Sequence, residues 1–136
     1  MFSPAGYTQT KVDDTHYQVK ATGTEATPTA RLEKIARARA AEIGVEDHLQ
    51  YFKVMSVQPS FSCTKKQSGY KSQTQPPSGR PVVVLDVAYA HEALDPGFAN
   101  SAEAFQALSS QIAGEVVPAE ASAAAIQETR AGCGPG

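Results

Sequence analysis

From Thr15 to Ala21 the chain sets Tyr17, Val19 and Ala21 against His16, Gln18 and Lys20 in strict alternation. A period of two marks a strand with one face in the core and one in water. Tyr7 to Val12 is rich in Thr and Tyr, which suits a partner strand. Asp13-Asp14 between the two favours a tight turn, without the glycine that would make the signal strong.

The pattern then changes period. Thr27 followed by Pro28 has the form of an N-cap with proline at the first helical position. Leu32, Ile35, Ala36, Ala40 and Ile43 recur on one helical stripe, while Arg31, Glu33, Lys34, Arg37 and Glu42 fall largely off it. The spacing predicts a helix to about Ile43, with Gly44 as its stop. The alanines at 36, 40 and 41 would let that helix sit close on a sheet.

Two further strands follow. Tyr51 to Val57 is apolar on parts of both faces, as expected inside a sheet. Pro81 to Ala90 is the strongest strand pattern: Val83, Leu85, Val87 and Tyr89 form one face, and Val82, Val84 and Ala88 the other, with Asp86 among them. Between them, Pro59 to Arg80 has the Lys, Gly, Pro and Ser content of a loop. Asp95-Pro96-Gly97 is a turn signal. Ser101 opens a second helix carrying Phe105, Leu108 and Ile112, which ends near Gly114.

The order β-β-α-β-β-α predicts a small α+β sandwich: one mixed or antiparallel sheet with the first helix packed on one face. A right-handed crossover would make the second and third strands parallel if they are neighbours. Residues 1–115 read as a single α+β domain. Residues 116–136, Ala- and Gly-rich, read as a flexible C-terminal tail.

Composition narrows the function classes. A chain of 136 residues suits one domain, and much of its apolar content is alanine, so the core is expected to be modest. The formal net charge of −2 offers no basic excess for nucleic acid. The longest apolar run, Val82 to Val87, is far short of a membrane span and contains Asp86. Cys63 and Cys133 stand far apart in no CxxC pair, which argues against zinc and against a thioredoxin-type centre. A Cys63–Cys133 bridge in an oxidising compartment and two separate thiols are both open. Met1 leads straight into a polar segment, which fits either a cytoplasmic protein or one whose signal is removed.

Candidate chemistry is sparse. None of the histidines, His16, His48 and His91, lies in an HxH or HExxH spacing. A loop bringing together His91, Glu92 and Asp95 would be a candidate metal site, and Cys63, beside Lys65 and Lys66, a candidate reactive thiol. The competing reading makes the first a solvated loop and the second bridged or inert. Asp86 interrupts an apolar strand. A structural role, either an ion pair with a charged partner such as an arginine on a covering helix or an edge-protecting charge, outweighs a lone catalytic carboxylate there. The sequence holds no GxSxG elbow, Walker loop or GxGxxG. No catalytic, cofactor-binding or metal residues are therefore assigned, and no cofactor is expected.

GYTQTKVDDTHYQVKATGT, the helical RARAAEI and the following Tyr51-Phe52 together resemble a group of small uncharacterised lipoproteins of proteobacterial envelopes. Gly6, Tyr7, Thr8, Tyr17, Val19, Gly23, Arg39, Ala40, Ala41, Glu42, Tyr51 and Phe52 carry the likeness, which spans roughly residues 6–57. It implies a periplasmic or outer-membrane-anchored domain, with a signal and lipobox cysteine expected upstream of Met1. It also implies a non-enzymatic role in binding an unknown envelope protein or in assembly. Self-association through a strand edge and a small metal-binding protein or enzyme are the competing expectations.

Overall fold

The computed structural model describes residues 7–63 and 79–133. Gly6, the lysines at 65, 66 and 71, and the body of the expected loop lie outside the described residues. Strands β1 (Tyr7–Asp13) and β2 (His16–Thr22) form the first hairpin. Helix α1 (Thr29–Glu46) follows, then β3 (Tyr51–Cys63) and β4 (Gly79–Ala90), the two-residue β5 (Ala99–Asn100), α2 (Ser101–Gly114) and α3 (Ala119–Cys133). The sheet order is β1-β2-β4-β3-β5, and every pairing is antiparallel. The α+β class and single helix-covered sheet are as expected. Strands β2 and β3 are not neighbours, because β4 inserts between them, so the crossover produces no parallel pair.

The alternation in β2 is realised directly. Tyr17, Val19 and Ala21 are buried, while His16, Gln18 and Lys20 are exposed. In β4, Val83, Leu85, Val87 and Tyr89 join them under α1 with Leu32, Ala36, Ala40, Ala41 and Ile43. The small side chains of α1 allow this close seat, and Tyr89 uses it: its hydroxyl donates to the Ala40 carbonyl oxygen at 2.7 Å. The Tyr89 ring meets Tyr17 edge-on at 5.2 Å between centroids, a geometry that contributes about 1 kcal/mol beyond burial.

Both ends of α1 differ from expectation. Pro28 itself occupies the cap position and Thr29 is the first helical residue. The Thr27 hydroxyl turns back to accept from the Thr24 amide at 3.0 Å. At the other end the helix runs through Gly44 to Glu46. The stop lies further on, at His48, whose φ of 59° is left-handed. The Leu49 amide donates to Gly44 and the His48 amide to Val45, the paired bonds of a Schellman cap with histidine in the place glycine usually takes. Gly44 is glycine for another reason: a Cβ there would lie 2.3 Å from Ser101 Oγ and 2.8 Å from the Leu49 carbonyl oxygen. It lets the start of α2 close onto α1.

Much of the segment read as a flexible tail, residues 116–136, is instead helical. Ala119–Cys133 is a 15-residue helix. Ala125 and Thr129 are buried, Arg130 pairs with Glu25 at 3.2 Å, and a Cβ at Gly132 would collide with the Phe61 ring. Cys133 is bridged to Cys63. The thin apolar stripe of this alanine-rich helix is thus supplemented by a covalent bond, a contribution that hydrophobic periodicity does not register. Phe61 and Cys63 share the sheet face of Val57, so α3 covers the far end of the face that α1 covers.

The opposite face of the sheet is polar on the strands that flank β4, around Val82, Val84, Asp86 and Ala88 of β4 itself. It carries His16, Gln18 and Lys20 on β2 and Ser56, Gln58 and Ser60 on β3. Its edges are blunted. Beyond Phe52, β3 has only β4 as a strand neighbour among the described residues, and it carries a bulge at Met55 and Pro59. Strand β1 carries Lys11, Asp13 and a bulge at Val12. These features discourage strand addition.

Two stability outcomes follow from these features. Replacing Cys63 and Cys133 together by serine is expected to lower the unfolding free energy by about 4 kcal/mol on the chain-entropy account of a loop this long, read from urea titration against the oxidised protein. His48→Gly is expected to raise stability by roughly 1 kcal/mol, since glycine adopts the left-handed conformation without the Cβ clash; an unchanged or lower urea midpoint would count against that strain.

Candidate functional site

The open sheet face is where polar side chains meet in an organised way. Antiparallel register places Gln18 and Ser56 on either side of Asp86. Ser56 Oγ donates to Asp86 Oδ2 at 2.6 Å and Gln18 Nε2 donates to Oδ1 at 3.3 Å. Asp86 therefore lies on the face away from the helices. Among the described residues no arginine or lysine pairs with Asp86, and two neutral donors hold it instead. The helical arginines are engaged elsewhere: Arg39 reaches Gln9 and Glu42, Arg37 reaches Glu33, and Arg31 reaches Glu115.

One row along, Asp13 organises the hairpin turn. Its Oδ1 accepts from the Thr15 amide at 2.9 Å and lies 2.9 Å from His16 Nδ1. The Thr15 amide first, then His16, hold the Asp13 carboxyl below the usual carboxylate range. The turn is thus an Asx-type turn closed by a histidine, and it uses no residue with positive φ, so glycine is not required. Between these rows lies a depression of about 380 Å³, lined by Val12, Asp13, His16, Tyr17, Met55, Asp86 and Val87.

The remaining sequence candidates do not converge. His91 and Glu92 are exposed just past β4. Asp95 turns to Lys53 Nζ at 3.2 Å and accepts from the Gly97 amide at 2.7 Å. No three His, Cys, Asp or Glu side chains among the described residues are placed to hold a metal ion. Cys63 is in the disulfide with Cys133 and offers no thiol. His48 borders a second depression of about 410 Å³, with Gly44, Gln50, Asn100 and Ser101. There, Ser101 Oγ already donates to the Leu49 carbonyl oxygen at 2.7 Å, and the Asn100 side chain caps α2 through the Glu103 amide. The Ser101 and Asn100 side chains are thus used in closing the fold.

Most of the described side chains that carry the resemblance serve packing, while Thr8 is exposed and Glu42 pairs with Arg39. Tyr17, Val19, Ala40, Ala41 and Phe52 are core. Gly23 admits Thr27, whose Cβ would be 2.8 Å from an added Cβ. Arg39 ties α1 to β1. The depression was missed by sequence reading because both of its apolar walls are bulge residues, and a bulge leaves no trace in a period of two. No protein-family model, curated protein or solved structure matches the chain.

On the covered side of the same strand, Tyr17 donates its hydroxyl to Asp47 Oδ2 at 2.6 Å. That bond, then burial, raises the Tyr17 pKa to about 12. A raised acid pKa in the fold means the neutral phenol is the bound form. Its stabilisation is complete below the ordinary tyrosine value of about 10 and is lost as pH climbs from there to about 12. Ultraviolet titration of the protein minus its Tyr17→Phe variant is expected to show this phenol ionising near the upper value. Asp47→Asn is expected to bring it back toward 10. Ionisation of Tyr17 at the ordinary value in the parent protein would contradict the bond.

Proposed function

We propose that this chain is a non-enzymatic domain of the bacterial envelope that binds a protein partner through its open sheet face, tethered by lipid upstream. The observation that carries the reading is the division of the sheet. The three helices among the described residues serve one face, and the other carries an ordered row of polar groups around Asp86. A sheet face that none of the described helices covers, with polar flanking strands, is suited to recognition.

The compartment rests on separate support. The Cys63–Cys133 bridge is compatible with an oxidising compartment and would be unusual in a reducing cytosol. No helix among the described residues is long and apolar enough to cross a membrane. Attachment through an upstream lipidated cysteine is what the resemblance implies. A heterologous partner is favoured over strand-edge self-association because both edges carry blunting features.

The test is a thiol count combined with fractionation of native cells. Protein taken up directly in alkylating reagent is expected to carry no label until reduced, and to partition with the envelope. Two alkylated cysteines on protein recovered from the cytosolic fraction would defeat the reading and restore the cytoplasmic alternative.

A further inference from the structure

We infer that the depression between Val12 and Met55 receives a lysine or arginine side chain presented by the partner protein. This rests on the partner-binding reading above and specifies the chemistry of the contact.

The shape comes from two bulges. Val12 and Met55 sit at the register breaks of β1 and β3, the strands that flank the β2–β4 pair. A bulge re-aims the side chain of its extra residue. Both residues are thereby left in solvent, Val12 65% and Met55 57% exposed. A single exposed aliphatic side chain is ordinary. Two of them bordering one depression, with strand backbone as its floor, make an apolar slot.

The charge comes from Asp13 and Asp86. Asp13 has only His16 as a basic neighbour, and neither carboxylate is within ion-pair distance of a lysine or arginine among the described residues. The lysines nearby are directed elsewhere or lie outside the slot. Lys11 pairs with Asp14 at 3.8 Å, Lys53 pairs with Asp95, and Lys20 stands opposite Val84, beyond Gln18 on β2. Asp86 accepts one bond on each oxygen, from Ser56 and Gln18. A carboxylate has about four acceptor positions, so capacity remains on both oxygens.

An apolar wall beside two carboxylates matches one class of side chain. Lysine and arginine carry an aliphatic stem that packs on apolar surface and a cationic head that seeks carboxylates. A bare metal ion would make no use of the walls, and a purely apolar group would desolvate the carboxylates without compensation.

The experiment uses the full oxidised chain with its methionine methyls labelled for NMR. With only Met1 and Met55 present, the Met55 signal is readily assigned. The probes are short capped peptides of the form Gly-X-Gly, with X lysine, arginine, norleucine or glutamate. Lysine and arginine peptides are expected to shift the Met55 methyl and Gln18 amide saturably, more weakly as salt rises. Norleucine and glutamate peptides are expected to give no saturable shift. Asp86→Asn and Asp13→Asn are each expected to weaken lysine-peptide binding at least tenfold, and Met55→Ala severalfold, with dispersed amide spectra showing that each variant is folded. The use of two separate carboxylate variants guards against one of them failing to fold. Absence of a saturable shift with the cationic peptides, equal binding of the norleucine peptide, or affinity unchanged in both carboxylate variants would overturn the inference. So would a Met55 shift that grows with protein concentration alone, which would mark a second copy as the occupant. A chain that is oxidised and envelope-bound but indifferent to cationic peptides would leave the proposed function standing and remove only this contact.

Discussion

The close approach of α1 to the centre of the sheet is the constraint from which the rest follows. Ala36, Ala40 and Ala41 present methyl groups where larger side chains would hold the helix away. Only at that separation does the Tyr89 hydroxyl reach the Ala40 carbonyl oxygen. Burying a phenol oxygen without a partner would cost a few kcal/mol, so the hydrogen bond and the small residues have to occur together. The same logic repeats at Gly44, where the missing side chain admits Ser101 and brings α2 alongside. Helix placement in this protein is governed less by large apolar side chains than by where side chains are withheld.

That placement sets what the sheet can expose. With α1 over β2 and β4, α2 beside it and α3 over the far end of β3 and β4, the helices are all committed to one side. Strand β4, flanked on both sides by β2 and β3, also buries Val82 and Ala88 on the other side. Asp86 is accommodated there because Ser56 and Gln18 are aligned by register to bond it, without a counter-charge. A carboxylate in that position keeps the open face wet. It also weakens any tendency of two such faces to stack against each other.

Much of this was legible in the chain itself. The alternation of Tyr17, Val19 and Ala21, the stripe from Leu32 to Ile43, and the doubly apolar run from Val82 to Val87 name the hairpin, the covering helix and the central strand. What escaped has identifiable causes. Helix α3 has too few large apolar residues to announce itself, and part of its hold is the bond from Cys133 to Cys63. The end of α1 lies beyond the glycine that marks a helix stop in sequence terms, because Gly44 answers to a contact with Ser101, distant in sequence, and His48 takes the left-handed turn. The Asp86 environment required knowing which residues of β2 and β3 lie opposite it, and register is a property of pairs of strands. The candidate site was less legible than the fold for the same reason: Val12 and Met55 come together only through two bulges on separate strands.

The bridge between Cys63 and Cys133 also divides the chain topologically. The first hairpin, α1 and β3 lie outside the closed ring; β4, α2 and α3 lie within it. The ring contains the strand to which both β2 and β3 are paired, so the open half and the closed half are interleaved in one sheet. A peptide bond cut anywhere inside the ring therefore leaves one covalent molecule, with the fragments joined at the sulfur atoms and by the sheet. A cut in the open half leaves an N-terminal piece held by hydrogen bonds and packing alone. Proteolytic resilience is thus unequal along the chain, and greatest in the half that ends at Cys133.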